Sequence, residues 1–386
     1  MHVHLSDNTI EPEELTALCE WIRSGARLTK GELTKQFEEA FRKLVGSEHA
    51  VFVNSGSSAN LLMLYALDVL GMLPRRRIIA PAISWSTTVA PAIQLGMEIE
   101  LCDCDRTTLG VDPRHFDELC RKWKPGAAVV VHVLGHSCRL DEIRSICDSH
   151  GVILLEDTCE AMGTTWGGRH LGTFGAMGSF SFYYGHQLST IEGGVLAVSD
   201  RTLYNTLLSL RAHGWARDLE PEYKADWERE FDVDEVRSLY TFYYPGFNFR
   251  PTDLQAFLGL SQLRKASRVV ETRQRNFEAY RAALGGFWCQ SSGDETLSSF
   301  AFGTLVANRL EVYRHLLERG IETRPLVCGS IGRQPFWIRH YGERALTNAD
   351  VVHEFGIYLP NHAGLELEDV RYVADTFLEV AVPQPF

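Results

Sequence analysis

The sequence predicts an α/β protein: a mostly parallel sheet covered by helices on both faces, followed by a smaller α+β unit. Three observations predict it. Short, apolar, β-branched runs recur through the first two-thirds of the chain without polar alternation, the pattern of strands buried on both faces. Stretches of helical length separate them, the alternation that builds a parallel sheet. Beyond residue 250 this rhythm gives way to helices interleaved with two strand-like runs. The expected division is 1–250 for the large α/β domain and 251–386 for the small C-terminal one.

In chain order, residues 11–25 and 31–46 read as amphipathic helices. AVFVN (50–54) is a short buried strand, and 57–71 is the helix after it. RIIAP (77–81), EIELCD (98–103), AAVVVHVLG (127–135) and VILLED (152–157) follow as strands, with helical intervals between them. GSFSFYY (178–184) and GGVLAVSD (193–200) are two strands around a polar turn. The charged stretch 217–238 reads as an irregular, exposed excursion, and a single long helix is expected from Thr252 through 284. The C-terminal unit then shows a strand (298–306), a helix (310–320), a strand (321–326) and a helix (367–380).

Composition narrows the function. Apolar residues make up 45% and charged residues 23% of the 386 positions, and the formal net charge is -12. That balance argues against a basic nucleic-acid-binding face and against attraction to anionic membranes. No apolar run approaches the roughly 20 residues of a membrane span, and no secretory signal is read at the start, so a cytoplasmic protein is expected. Nine scattered cysteines form no C-x-x-C pair. They are expected to be free thiols packed as small hydrophobes, with no metal site. Cys102 and Cys104, two apart on one strand, are expected to face the same side.

Three segments carry chemistry. Asn54-Ser55-Gly56-Ser57-Ser58-Ala59-Asn60 joins a strand to a helix with small residues. Such a turn lets backbone N–H groups reach an anion at a helix N-terminus, although small residues also simply cap helices. Glu156-Asp157 ends an apolar strand, where ligands bind in open α/β sheets. Such a carboxylate suits a pyridine nitrogen, or caps the next helix. Gly178 to Gly194 runs strand, polar turn, Gly-Gly, strand, with His186 in the turn.

Together with PAISWSTTVAPAIQLG (81–96), EDTCEAMGTTWGGRHLGTFGAMGSFSF (156–182), TIEGG (190–194) and GFNFRPTDLQA (246–256), these segments resemble the DegT-type sugar aminotransferases of the fold-type-I pyridoxal-phosphate (PLP) superfamily. The resemblance implies that Gly56, Ser57 and Ser181 hold the cofactor phosphate, that Asp157 meets the pyridine nitrogen, and that Trp85 stacks on the cofactor face. It implies a homodimer with shared active sites, in which Asn248 reaches the neighbouring subunit's cofactor. The departure is His186, which stands where the aminotransferases carry the lysine that tethers the cofactor. The chain has seven lysines and none between Lys124 and Lys224.

The segment Tyr184–Gly194 resembles the branch of the GDP-4-keto-6-deoxy-D-mannose 3-dehydratases, as do 211–218, 323–327 and 333–335. Glu160, in place of a glutamine common among the aminotransferases, also agrees, and is expected near the cofactor's 3-hydroxyl. The resemblance implies non-covalent PLP/PMP, L-glutamate as amino donor, a nucleotide-linked keto-sugar substrate, and loss of its C3 hydroxyl with release of ammonia. It places the product in 3,6-dideoxysugar biosynthesis. A cousin branch carries a cysteine cluster for an iron–sulfur centre, and the gap between Cys159 and Cys289 predicts none here. His186 is the expected base, with a pKa near 6.5, and His213 a second candidate for proton transfer. Arg250, Arg324 and Arg333 are candidates for the diphosphate or the donor's carboxylate. Two rival readings are an aminotransferase working without lysine and a catalytically silent PLP-binding regulator.

Overall fold

The computed structural model describes residues 2–386. Its central sheet contains β1 (His49–Val53), β2 (Arg77–Pro81), β3 (Glu98–Cys102), β4 (Ala127–Val131) and β5 (Ile153–Asp157). A small hairpin, β6 (Thr165–Trp166) and β7 (Arg169–His170), stands outside it, and β8 (Met177–Ser181) and β9 (Gly194–Val198) complete it. The order is 1-9-8-5-4-2-3. Only β9 runs against its neighbours; the other pairings are parallel. The carboxyl ends of β1, β5 and β8 and the start of β9 therefore share one edge.

Alternate residues of these strands feed two layers. Ile78, Ala80, Val129 and Leu155 pack with α3 (Gly56–Val69), α4 (Ser86–Gln94) and α7 (Arg201–Leu210). Ile79, Val130 and Leu154 meet Phe116 of α5 (Pro113–Trp123) and Ile143 of α6 (Leu140–His150). On that second face the phenylalanines of β1, of β8 and the residue just past it, and of α2 (Glu32–Val45) interlock. Phe37 lies 4.5 Å from Phe52 and 5.4 Å from Phe182, and Phe41 lies 5.0 Å from Phe180. Each ring removed from water contributes roughly 1.5–3 kcal/mol. This cluster holds β8 rigidly where it launches the His186 turn.

The second unit has an antiparallel sheet of β10 (Ala301–Leu305), β11 (Arg324–Pro325) and β12 (Gly356–Pro360), in the order 10-12-11. It is packed by α11 (Arg309–Glu318) and α14 (Leu367–Leu378). Val3, near the N-terminus, joins this cluster through a parallel bridge to Ile321.

Three expectations are corrected. The long helix is two: α9 (Asp253–Leu263) and α10 (Ala266–Ala283). Lys265 sits at the break, drawn to Glu14 at 2.6 Å and the Thr9 carbonyl at 2.7 Å, and this tertiary pull overrides an uninterrupted helical sequence. Within α10 the packing changes partners: Val269 lies with the phenylalanine cluster, Phe277 and Tyr280 with the small sheet. The 217–238 excursion contains α8 (Pro221–Glu230), a helix with no buried residue and hence no apolar stripe to announce it. Cys102 and Cys104 lie in different layers, because β3 ends at Cys102 and the chain turns before Cys104.

Candidate active site

Along the shared edge of the sheet lies a cavity of about 500 Å³. The turns after β1, β5 and β8 line it, with Trp85, Thr87 and Thr88 at the start of α4. The second unit contributes Phe300, Arg324 and Tyr358, and the N-terminal segment Leu5 and Ser6.

The turn after β1 is built for close approach. Ser55 caps α3, its side chain accepting the Ser58 N–H, and Ser55, Gly56 and Ser57 line the cavity. A Cβ on Gly56 would lie 2.8 Å from Ser181 Cβ and 3.0 Å from Cys159 Sγ. Gly194 is needed for the same reason, since a Cβ there would strike the Ser55 carbonyl oxygen at 2.2 Å. The Gly-Gly pair thus lets β9 pass the turn at backbone contact. Ser57 Oγ donates to Thr87 Oγ1 at 3.1 Å, linking the turn to α4.

Asp157 forms the floor. Its Oδ2 accepts from Asn60 Nδ2 at 2.8 Å and Thr88 Oγ1 at 2.7 Å, and its Oδ1 from the Cys159 N–H at 3.2 Å. Ser179 Oγ in turn donates to Asn60 Oδ1 at 2.5 Å. Donors from two helix starts thus fix the carboxylate's plane while the residue still lines the cavity.

His186 stands between Phe300 (ring centroids 5.3 Å apart) and Tyr183 (6.2 Å). Its Nδ1 is buried with no hydrogen-bond partner. Burial pushes its pKa down to about 4, with the Cys159 backbone opposing and the Arg273 charge adding. The expected value near 6.5 is therefore corrected: the imidazole is neutral throughout the physiological range, the form that accepts a proton. Glu160 behaves oppositely. Burial raises its pKa to about 7, the Leu134 N–H partly opposing and Asp157 adding.

Trp85 precedes α4, lines the cavity and is 56% exposed, leaving it open to a flat ligand. The structure brings Gly56, Ser57, Trp85, Asp157, Glu160, Ser181, His186 and Arg324 to this one cavity. It does not bring His213, Asn248, Arg250 or Arg333 there. The His213 N–H donates to the Phe247 carbonyl from a left-handed backbone (φ 68°). Arg250 Nε donates to Asn248 Oδ1 at 3.0 Å. Arg333 pairs with Asp350 and Glu343. Sequence reasoning missed Thr88, Tyr183, Phe300 and Tyr358 as lining residues, and also Asn60. For Asn60 the signal existed: it sits one helical turn past Gly56, inside the small-residue motif.

A family model, the DegT/DnrJ/EryC1/StrS aminotransferase family, matches residues 8–378. GDP-4-keto-6-deoxy-D-mannose 3-dehydratase of Escherichia coli O55:H7 is 34% identical over 361 residues, spanning 90% of this chain and 92% of that one. Among solved structures, the Escherichia coli GDP-4-keto-6-deoxy-D-mannose 3-dehydratase with bound hydrated PLP superposes with a TM-score of 0.87 at 30% identity, over 98% of this chain and 100% of that one. A GDP-4-keto-6-deoxymannose 3-dehydratase with a trapped PLP–glutamate geminal diamine gives 0.86 at 31% identity, over 97% and 100%. The fold is that of the PLP-dependent aminotransferases. No helix of the described residues is long and apolar enough to cross a membrane.

Proposed function

The chain belongs to the DegT/DnrJ/EryC1/StrS aminotransferase family, and we propose that it is a PLP/PMP-dependent 3-dehydratase of a nucleotide-linked 4-keto-6-deoxy sugar. The substrate it fits by likeness is GDP-4-keto-6-deoxy-D-mannose, with L-glutamate as amino donor and ammonia released. One observation carries this reading. The cavity presents the imidazole of His186 with its Nδ1 unpartnered, and no lysine lines it among the described residues.

The residues fit the cofactor. The Ser55–Ser57 turn, with a Gly56 that admits no side chain, is an anion cradle at the start of a 14-residue helix. Gly56, Ser57 and Ser181 would hold the phosphate, Asp157 the pyridine nitrogen, and Trp85 one ring face. Glu160 would lie by the 3-hydroxyl. When bound as the amine, the cofactor supplies a nucleophile for the sugar's C4 ketone and an electron sink beside C3. Around it, Asn60 and Thr88 keep Asp157 aimed. His186 accepts the proton that must leave the cofactor's C4′ carbon, and being an imidazole it offers no amine to recapture the aldehyde. Arg324 lines the cavity on the side of the second unit and is the arginine placed to meet the diphosphate or the donor's carboxylate.

A homodimer with shared sites belongs to the same proposal. His213, Asn248 and Arg250 lie outside this chain's own cavity, and Tyr240 and Phe242 near them are 75% and 52% exposed. A second copy covering that surface brings Asn248 to the neighbour's cofactor.

The test is to incubate the protein with PLP, L-glutamate and a panel of 4-keto-6-deoxy sugar nucleotides. The expected products are a 3-deoxy-4-keto sugar and ammonia, by mass spectrometry, and borohydride treatment of the PLP form leaves no cofactor on the chain. An amino-sugar product, or a lysine carrying reduced cofactor, overturns the reading in favour of an aminotransferase. PLP binding with no conversion to PMP points to the silent regulator.

A further inference from the structure

The proposed reading uses His186 for proton transfer and leaves Glu160 as a contact for the cofactor. The local structure around Glu160 is more specific than that role requires. Its Oε2 accepts the Leu134 N–H at 2.8 Å. That N–H is aimed by a buried residue in left-handed backbone (φ 51°, ψ 26°), which is disfavoured for any residue with a Cβ and recurs at working sites. Gln187 Nε2 donates to the Glu160 carbonyl at 2.6 Å, so the acid's backbone is tied to the residue that follows His186. Both side chains line the same cavity.

The charges around Glu160 do not favour its ionised form. Asp157, three residues before it, is of like sign. Cys328, just past β11, and Tyr358 of β12 lie within reach of its charge, and Arg324 stands across from Tyr358 on β11. No lysine or arginine forms an ion pair with it among the described residues. Burial therefore leaves a substantial protonated fraction near neutrality, with a pKa of about 7, while His186 at about 4 is unprotonated. Two titratable groups in one site whose environments push them apart are the signature of a divided acid and base.

We propose that Glu160 is the general acid that protonates the departing C3 hydroxyl, and that His186 acts as the base alone. The inference rests on the dehydratase reading above. With the cofactor loaded as the amine and joined to the sugar, the step balances. His186 takes the proton from C4′. The freed electron pair passes along the conjugated path to C3, and the C3–O bond breaks with its electrons on oxygen. That oxygen takes the Glu160 proton and leaves as water. Glu160 ends as a carboxylate and His186 as an imidazolium, and one net proton returned from the imidazolium to the carboxylate restores both.

The experiment compares the wild-type holoenzyme with E160Q and E160D. Product analysis of the wild type comes first: an amino sugar there refutes the dehydratase reading itself. Given dehydration, E160Q is expected to lose far less in the conversion of PLP to PMP with glutamate, followed by absorbance, than in dehydration, because that half-reaction expels no hydroxyl. Its dehydration kcat is expected to fall about 10²–10⁴-fold. The decline of kcat as pH rises through about 7 in the wild type is expected to vanish in E160Q, and E160D to restore part of the rate. Carbon-13 NMR of glutamate-labelled PLP holoenzyme supplies a readout independent of turnover and of any folding defect. One carboxyl is expected to titrate near pH 7 and to be missing from E160Q. The inference is overturned by dehydration in E160Q within about threefold of wild type, by an unchanged alkaline limb, by an equal loss in the half-reaction, or by no carboxyl titrating in that range.

Discussion

Glu156 and Asp157 are consecutive carboxylates at the end of β5, one on each face of the sheet, and their surroundings differ in kind. Glu156 is fully buried and its valences are filled by the chain itself. Oε1 accepts the Phe174 and Gly175 N–H groups at 2.7 and 2.6 Å, and Oε2 accepts Gly172 N–H at 2.9 Å and lies 3.0 Å from His132 Nε2. Asp157 has its plane fixed but lines the cavity. The same contrast separates two histidines. His132 uses both ring nitrogens, Nε2 toward Glu156 and Nδ1 as acceptor of the Cys138 N–H, whereas His186 keeps Nδ1 unpaired. A charge or ring whose partners the chain supplies in full is framework. One left with an open valence in a cavity marks where the protein meets something else.

The sharpest way to break this comparison is to neutralise each carboxylate in turn. E156Q puts an amide where backbone N–H groups converge, and leaves buried donors unmatched. Loss of about 3–5 kcal/mol of stability is expected, the scale for breaking a buried charged network. Burial alone would raise the Glu156 pKa, but His132 and the glycine N–H groups outweigh it and hold it below its ordinary value. Its contribution is therefore present above that ordinary value and lost as pH falls through the lower, folded one. D157N should unfold within about 1.5 kcal/mol of wild type, yet retain PLP poorly and lose activity by at least about 10²-fold. Denaturant unfolding and cofactor titration on both variants check the pair. Melting like wild type in E156Q with collapse in D157N would reverse the two assignments.

A second test uses pH on His186. With a folded pKa of about 4 against an ordinary 6.5, the unfolded chain binds this proton first. Stability from this residue is therefore intact above pH 6.5 and declines as pH falls toward 4, by at most on the order of 3 kcal/mol. H186N should lack that decline while losing about 10²–10⁴-fold in dehydration and still binding PLP. Unfolding free energies of the two proteins across that range decide it. Parallel curves would mean that the imidazole is solvated in the folded state.

These contrasts also show what a sequence can carry. The strands β1 to β5, the small-residue turn and the paired acids are local and read directly from composition and spacing, whereas His186 in the lysine's place is legible only through the family resemblance. The distinction between Glu156 and Asp157 is not local. Asn60 and Thr88 reach Asp157 from 97 and 69 residues away, because α3 and α4 start at the sheet edge where β5 ends. The surroundings of His186 are likewise not local, since its ring packs against Phe300 of the other unit. The break at Lys265 answers to Glu14 across the fold, and β12 follows α13 (Thr347–Phe355) with no intervening turn to announce it. What is missing from the linear text is register between distant elements, which decides whose valences are filled.

The arginines give the finest version of the contrast, because residue type alone ranks Arg324 and Arg333 equally. Arg333 is bidentate to Asp350, at 3.0 and 2.5 Å, and also pairs with Glu343. Those carboxylates occupy the guanidinium fork that a phosphate would need. Arg324 has no carboxylate partner among the described residues, is exposed, and lines the cavity beside Tyr358. R324A should therefore raise KM for the sugar nucleotide about tenfold or more, the scale of one lost charge-assisted contact, with unfolding unchanged. R333A should leave KM and kcat alone and shift stability by no more than about 1 kcal/mol, since its partners lie near the surface. Steady-state kinetics on the two single variants separates them. A KM effect from R333A equal to that of R324A would show that filled valences do not predict silence, and would take the guiding contrast down with it.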